Sequence, residues 1–332
     1  MWRPAAAICG QLSVPTERSS IEDEPPSGAH DSKKALATGV VTTMGRLPPM
    51  LLRAPVRVRS SAGRPWGTAF GYPRPDAYNT SDPTVHSSRD AQQWRLWFVT
   101  CAHVVDAIEA SSGTDQRVSV EVNETSGGLT KIAYPIGHFW TRHREWVDRC
   151  WRLGPIATRD YTVDDAAVDV AVTTAPTHYD HWDDLAWGVF PPSTHITKAR
   201  MNSETPLGPP VSEGDRLFVL GFPVGFYEDA MNWPTVRHGM VAQLQPYLAG
   251  EARTFLIDGS VFGGNSGGPV VTSPTRQLET PSLIGMVSGC RLDPSTQQNA
   301  DLGIVVPLDT INETIEMALS DSPHVSRLPG SG

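Results

Sequence analysis

Several features that would assign the chain to a common class are missing from its 332 residues. No apolar run approaches the roughly 20 residues that a membrane-spanning helix requires, so we expect no membrane partner. The net charge is −9, and lysine and arginine are not clustered. This argues against nucleic acid as a partner, because nucleic-acid-binding proteins usually present a basic face. No HExxH motif is present either, so a zinc protease is not supported.

Cysteine is also scarce. The four cysteines have no CxxC spacing and are too few for a disulfide framework; they are Cys9, Cys101, Cys150 and Cys290. His178 and His181 form an HxxH pattern in a polar segment, which is more typical of a solvated loop than of a metal site. We therefore expect no metal and no cofactor. The compartment stays open, although the cysteine pattern and the poor N-terminal secretory signal favour the cytoplasm.

Glycine and proline are plentiful instead, with 29 of each, and long periodic segments are few. About a dozen short apolar or alternating runs predict strands rather than a helical bundle. The dense apolar run WRLWFVTCAHVV, residues 94–105, is typical of a buried strand. One helix is predicted, LDTINETIEMAL from Leu308, because Ile311, Ile315 and Leu319 share one face.

Composition divides the chain into four segments. Residues 1–45 are rich in proline, serine and charge, which predicts a disordered leader, and residues 321–332 are predicted to form a flexible tail. Between them lie two strand-rich halves, residues 46–177 and residues 178–320. The polar, proline-rich stretch near their boundary predicts the connection between the two.

The stretch GGNSGGP, residues 263–269, places Ser266 among four glycines. A glycine-rich turn explains it structurally, and a nucleophile that needs an unusual backbone explains it functionally. GNSGG also matches the G-x-S-x-G elbow of α/β-hydrolases. That fold needs its histidine after the serine, and only His324, in the tail, follows Ser266. An esterase of this type is therefore disfavoured.

Two residues upstream of Ser266 suggest another arrangement. His103 ends the apolar run FVTCAHVV, and Asp169 is a lone carboxylate in AAVDVAV. Each residue also has a purely structural explanation. His103 could be a core histidine, and Asp169 could be a strand-edge residue whose side chain reaches water. The order His, Asp, Ser is that of a catalytic triad, and the three together favour it. Asp164 or Asp165 could replace Asp169, but only Asp169 begins an apolar strand.

These motifs resemble those of trypsin-like serine peptidases. TCAHVV is similar to their TAAH motif, DVAV to D-[LIV]-A-[LV], and GNSGGPVV to G-[DN]-S-G-G-P. The asparagine in the last motif is closest to the bacterial HtrA/DegP-like branch, and the resemblance covers about residues 50–320. It implies an all-β chymotrypsin-like fold: two six-stranded antiparallel β-barrels with a C-terminal helix. The N-terminal barrel would cover residues 46–177, and the C-terminal barrel residues 178–320. No PDZ-like segment follows Leu319, so we expect no peptide-sensing module.

The resemblance also implies roles for individual residues. Ser266 would attack a carbonyl carbon, His103 would take its proton, and Asp169 would orient the imidazole. The expected substrate is a protein or peptide. The remaining implied sites are an oxyanion hole from the N–H groups of Gly264 and Ser266, a pocket base at Ser260, and a substrate-pairing strand at Val287, Ser288 and Gly289. Because position 260 carries no acid, we expect the substrate residue just before the cleaved bond to have an uncharged side chain.

Two departures from the family pattern carry expectations. Asn265 stands where zymogen-type trypsins have an aspartate that pairs with a newly cut N-terminus. We therefore expect activity without N-terminal cleavage. Cys101, two residues before His103, is expected to be a small buried side chain rather than a redox group. The alternative to a serine endopeptidase is a catalytically silent domain that binds peptides or proteins in the same cleft.

Overall fold

The computed structural model describes most of the chain outside its two termini. The described residues are 47–75, 94–111, 116–141, 144–147, 150–153, 168–174, 185–186, 188–203, 210–224, 232–274 and 280–321. The predicted leader and the predicted tail after Asp321 lie outside these ranges, as do Asp164, Asp165, His178 and His181. Within the described ranges, none of the helices has the length and apolar character needed to cross a bilayer.

The described strands form two six-stranded antiparallel sheets and one separate hairpin. The first sheet contains β1 Pro55–Ser60, β2 Pro65–Pro75, β3 Trp94–Thr100, β4 Arg117–Asn123, β5 Leu129–Pro135 and β8 Ala171–Thr174. The hairpin contains β6 Arg144–Val147 and β7 Cys150–Leu153. The second sheet contains β9 Arg216–Gly221, β10 Thr235–Gln243, β11 Phe255–Asp258, β12 Pro269–Thr272, β13 Leu283–Leu292 and β14 Asn299–Pro307.

The strand order confirms the predicted fold class. The second sheet closes into a barrel in the order β10-β11-β14-β13-β12-β9, with β9 pairing back onto β10. Among the described strands the first sheet, β5-β4-β1-β2-β3-β8, forms a half-barrel rather than a closed one. Closure removes the sheet edges that would otherwise expose unpaired backbone groups. The molecule is a chymotrypsin-like double barrel.

The described residues contain four α-helices: α1 Ala102–Ser111, α2 Lys198–Met201, α3 Gln245–Ala249 and α4 Leu308–Asp321. The last confirms the predicted helix, with Ile311 and Ile315 buried against the core. The first contradicts the prediction of a strand through residues 94–105, because β3 ends at Thr100. Val104, Val105 and Ile108 form a buried helical face.

A contact from a distant part of the chain explains why a helix begins there. The backbone N–H of His103, in the first turn of α1, donates to Asp169 Oδ1 at 2.9 Å. The first N–H groups of a helix have no partner within the helix, and a carboxylate at that end both accepts and stabilises them. The local sequence cannot reveal this partner, which lies 66 residues away. The prediction of a strand was wrong for this reason.

A buried charge cluster lies where the two barrels meet. Arg57 on β1 pairs across the sheet with Glu121 on β4, and Arg57 Nη1 is 3.3 Å from Glu121 Oε2. The same carboxylate accepts a hydrogen bond from Arg59 Nε at 2.9 Å. The Arg57 guanidinium carbon lies 5.3 Å from the ring centre of Phe222, just after β9. This cluster supports the segment of the C-terminal barrel that approaches Gly264.

Replacement of Glu121 should therefore destabilise the fold. We expect Glu121→Ala to lower the free energy of unfolding by about 3–5 kcal/mol, because it removes a carboxylate partner from a wholly buried guanidinium. Urea unfolding would measure the loss. Glu316→Ala is the matched control, since Glu316 is 63% exposed in its ion pair with Arg74 and should change stability by less than about 1 kcal/mol. Equal losses in the two variants would contradict this account.

Candidate active site

The glycine-rich stretch forms a tight loop between β11 and β12. Gly264 and Gly267 have φ angles of +95° and +88°, a region that side chains with a Cβ rarely adopt. A Cβ on Gly264 would overlap the carbonyl oxygen of Phe222, and one on Gly268 would overlap that of Leu220. The glycines therefore allow Ser266 to sit against the backbone that follows β9.

Thr68 of the N-terminal sheet braces this loop from the opposite side. Its Oγ1 donates to the Gly264 carbonyl oxygen at 2.7 Å and accepts the Phe222 N–H at 3.1 Å. Its backbone N–H donates to the Ser266 carbonyl oxygen at 2.8 Å. Thr100 Oγ1 in turn donates to the Thr68 carbonyl oxygen at 2.7 Å. The conformation of the loop thus depends on contacts from both barrels.

His103 and Asp169 are joined by two hydrogen bonds. His103 Nδ1 lies 2.6 Å from Asp169 Oδ2, in addition to the backbone bond to Oδ1. Ser288 Oγ also donates to Asp169 Oδ2, at 2.9 Å. The carboxylate is thus held from both sides, while the imidazole side chain is 52% exposed. This arrangement leaves Nε2 as the ring nitrogen available to solvent or substrate.

The pair shifts the pKa of each partner. Burial lowers the pKa of His103, but the hydrogen bond and the charge of Asp169 raise it by more, so it lies above the ordinary 6.5. Burial raises the pKa of Asp169, but its bonds to the His103 ring and N–H and to Ser288 lower it by more, to below 3.8. Asp169 is therefore ionised at neutral pH, and its charge favours the imidazolium form of His103.

The hydroxyl of Ser266 has a different partner from the one the sequence predicts. Ser266 Oγ donates to the carbonyl oxygen of Ser288 at 3.2 Å. Within the described part of the chain, no hydrogen bond joins it to the His103 imidazole. Ser288 nevertheless contacts both Ser266 and Asp169, so the three predicted catalytic residues lie around one strand. Hydrogen bonds between catalytic groups are often long in free enzymes and tighten when substrate binds.

The predicted oxyanion-hole groups have free donors. Among the described residues, neither the N–H of Gly264 nor that of Ser266 donates a hydrogen bond. Their neighbours differ, since the Gly267 and Gly268 N–H groups bond to the carbonyl oxygens of Val287 and Asn265, each at 2.8 Å. Two adjacent free donors beside a serine hydroxyl could stabilise a negatively charged oxygen.

The predicted substrate-pairing strand, residues 287–289, is only partly open. Val287 uses both of its backbone polar groups in the loop, because its N–H donates to Gly268 and its carbonyl oxygen accepts from Gly267. Gly289 pairs with Ile304 on β14. The Ser288 carbonyl oxygen accepts the hydroxyl of Ser266, and Ser288 is the residue that the register of β13 and β14 skips. Of the three, Ser288 is therefore the one that can exchange a hydroxyl partner for a substrate N–H.

An acidic side chain that the sequence prediction overlooked contacts the predicted pocket base. Ser260 Oγ donates to Asp301 Oδ1 at 2.7 Å. Asp301 lies on β14 with φ of +57°, and its backbone oxygen accepts the N–H of Gly259 at 2.8 Å. Position 260 alone thus no longer argues against a basic side chain at the cleavage site. Only the pairing of β11 with β14 brings this carboxylate to Ser260.

Asn265 is buried beside the nucleophile. Neither oxygen nor nitrogen of its side-chain amide has a hydrogen-bond partner among the described residues. A charged aspartate in the same place would need an ion partner, because burying an unpaired charge is costly. An uncharged amide does not need the ammonium of a cut N-terminus, and activity without cleavage stays a prediction.

Three side chains of this region carry potential metal ligands. A ligand atom of Cys101, one of His103 and one of Asp169 all lie within 4.8 Å of one another. Cys101 is wholly buried, as predicted, and its Sγ donates to the Val287 carbonyl oxygen at 3.3 Å. Burial and the neighbouring Asp169 carboxylate raise the pKa of its thiol well above the usual value.

Comparison with protein families identifies the chain. The family model described as the trypsin-like peptidase domain matches residues 84–278, which is more than half of the sequence. The chain therefore belongs to the trypsin-like peptidase family, and the resemblance drawn from its motifs is confirmed. The matched segment includes His103, Asp169 and Ser266. Comparison with curated proteins found no match.

Solved structures with similarity to the chain include several proteases. A variant of the HtrA-type protease AlgW with a tripeptide is 14% identical, with a TM-score of 0.42, over 81% of this chain and 61% of that one. The chain thus spans about three fifths of that relative. Deg5 is 15% identical with a TM-score of 0.39, covering 79% of this chain and 86% of that one. The inactive form of Rv3671c from M. tuberculosis H37Rv is 16% identical with a TM-score of 0.38, covering 85% and 99%.

Proposed function

We propose that the protein is a serine endopeptidase that hydrolyses peptide bonds through His103, Asp169 and Ser266. The contact between His103 Nδ1 and Asp169 Oδ2, at 2.6 Å, is the observation that carries the proposal. It fixes the tautomer in which Nδ1 holds the proton and Nε2 keeps its lone pair, which is the form a general base requires. Membership of the trypsin-like peptidase family supports the same chemistry.

The reaction begins when a substrate N–H takes the Ser288 carbonyl oxygen, which frees the hydroxyl of Ser266. Ser266 Oγ then attacks the carbonyl carbon while His103 Nε2 accepts its proton. The negative charge that develops on the substrate oxygen is stabilised by the N–H groups of Gly264 and Ser266. His103 next returns the proton to the leaving amine, and a water repeats the sequence on the acyl-enzyme.

The hydrogen bond from Ser266 to Ser288 also favours a second candidate. A hydroxyl that stays on a backbone carbonyl is not activated, and the same cleft would then bind a peptide or protein without cutting it. In that case the contact between Asp169 and His103 would only stabilise the first turn of α1. The two candidates differ in whether Ser266 reacts with an electrophile.

A fluorophosphonate probe applied to the intact chain tests the proposal. We expect the wild-type protein to be labelled, and Ser266→Ala and His103→Ala to lose the label, because the probe reacts only with an activated serine. Ser203→Ala and His238→Ala are matched controls at exposed positions and should be labelled normally. Thermal melting would show that all variants are folded.

Two outcomes would contradict the endopeptidase. A folded wild-type protein that is labelled neither intact nor after the leader is trimmed would support the binding module. Labelling that survives in Ser266→Ala would place the reactive group elsewhere. Labelling of the intact chain would also support the expectation that no N-terminal cleavage is needed, whereas labelling that appears only after the leader is trimmed would overturn it.

A further inference from the structure

We propose that Cys101, His103 and Asp169 form an inhibitory zinc site that switches the proposed active site off. This inference goes beyond the proposed peptidase activity, because the metal would bind whether or not Ser266 is reactive. It rests on the position of the Cys101 thiol, whose sulfur lies within 4.8 Å of a ligand atom of His103 and of one of Asp169. The TAAH motif that the sequence resembles has alanine where this chain has Cys101, so the thiol is an addition to the site.

The donor set is suited to zinc. One sulfur, one imidazole nitrogen and one carboxylate oxygen lie within 4.8 Å of one another. Zn²⁺ binds all three donor types, whereas Mg²⁺ and Ca²⁺ prefer oxygen alone. Three protein ligands leave a fourth tetrahedral position, and the 52% exposed side chain of His103 leaves that position open to water.

Two of the ligands are also held by groups outside the ligand set. Asp169 is fixed by the His103 N–H and by the Ser288 hydroxyl. Cys101 follows the end of β3 and is fixed by the Val287 carbonyl oxygen. A preformed arrangement of this kind reduces the conformational entropy that the ligand side chains lose when the metal binds.

The ligand atoms must move at two places to bind zinc. Bonds of about 2.0 Å from zinc to nitrogen and oxygen, at a tetrahedral angle, place the two ligand atoms about 3.3 Å apart. His103 Nδ1 and Asp169 Oδ2 are 2.6 Å apart. The imidazole must therefore move away from Asp169 Oδ2 by under about 1 Å. The three ligand atoms lie within 4.8 Å of one another, whereas a tetrahedral zinc places sulfur about 3.5 Å from nitrogen or oxygen, so the sulfur must approach by about 1 Å where it lies at that limit.

Zinc binding would prevent His103 from acting as a general base. The thiol gives up its proton to solvent when it coordinates Zn²⁺, and nothing is oxidised or reduced. If zinc takes Nδ1, the neutral imidazole carries its proton on Nε2 and has no lone pair for the hydroxyl of Ser266. If zinc takes Nε2, the metal occupies that lone pair itself. Either ligand atom prevents proton transfer from Ser266.

Cobalt provides a readout that does not depend on activity. We expect Co²⁺ bound to the intact wild-type protein to show a thiolate-to-cobalt charge-transfer absorption. The band should be absent in Cys101→Ala and retained in Cys290→Ala and Ser266→Ala. Zn²⁺ should displace the Co²⁺ and abolish the band. Cys101→Ala should fold, because alanine occupies this position in the resembling motif.

The same variants link the metal to the active site. Zn²⁺ should suppress fluorophosphonate labelling of the wild type, and the midpoint concentration should rise at least about tenfold in Cys101→Ala but stay unchanged in Cys290→Ala. Replacement of residues that only hydrogen-bond to metal ligands already lowers metal affinity about ten- to a hundredfold. Loss of a ligand itself should therefore have at least as large an effect. A cobalt band that is missing in the wild type or persists in Cys101→Ala would overturn the zinc site. Equal midpoint concentrations of Zn²⁺ in the wild type and Cys101→Ala would overturn it as well. Absent labelling without metal would count against the peptidase alone.

Discussion

Asp169→Asn should slow fluorophosphonate labelling by about 10⁴-fold while leaving the fold intact. The carboxylate accepts the proton of His103 Nδ1 at 2.6 Å. An asparagine amide can turn its nitrogen toward Nδ1 and donate instead, which forces the imidazole proton onto Nε2. The ring then has no lone pair for the hydroxyl of Ser266. The second-order rate constant of labelling measures the loss.

The same substitution should change the pH dependence of the remaining reaction. His103 must be neutral to accept a proton, so the labelling rate rises as the pH rises through the pKa of His103. In the wild type, the bond and charge of Asp169 hold that pKa above 6.5 against the effect of burial. Without the charge, burial dominates and the pKa falls. The acid limb of the pH profile should therefore move to lower pH in Asp169→Asn.

Asp106→Asn is the matched control. Asp106 lies three residues along α1 from His103 and raises its pKa only through its charge. We expect this variant to lose less than about tenfold in labelling rate, because the tautomer of His103 is unchanged. Wild-type labelling in Asp169→Asn would show that another acid orients His103. The alternatives named from the sequence, Asp164 and Asp165, would then be replaced in turn.

Gly267→Ala should lower the free energy of unfolding by about 2–6 kcal/mol, from two separate causes. The φ angle of +88° costs a residue with a Cβ about 1–3 kcal/mol. The added Cβ would also overlap the Thr68 carbonyl oxygen and lie 2.5 Å from Thr100 Oγ1, and such overpacking costs about 1–3 kcal/mol more. Relief of the overlap would break the bond from the Thr68 N–H to Ser266. Urea unfolding would measure the loss.

Gly263→Ala separates this effect from a general intolerance of the loop. Gly263 lies in the same stretch, its φ is not positive, and a Cβ there would meet nothing within 4 Å. We expect its stability to stay within about 0.5 kcal/mol of the wild type. A Gly267→Ala variant as stable as Gly263→Ala would show that the loop relaxes freely, and the bracing by Thr68 would lose its support.

The sequence by itself determined the family and its principal elements. The three motifs around His103, Asp169 and Ser266 identified a trypsin-like peptidase, and the family comparison confirmed this. The 3.6-residue periodicity of residues 308–319 predicted α4. Short apolar runs predicted many of the strands, because each strand buries its side chains through a local pattern that can be recognised without tertiary contacts. The double barrel was implied by the resemblance of the three motifs.

Only the tertiary structure decided how these parts meet. The bonds of Asp169 to His103 and Ser288, the bracing of the loop by Thr68, and the contact of Asp301 with Ser260 all join residues far apart in the chain. The helix α1 was missed for the same reason, since the carboxylate that accepts an N–H in its first turn comes from the segment before β8. Residue patterns report periodicity and chemistry over a few turns, whereas these contacts depend on the packing of two barrels against each other.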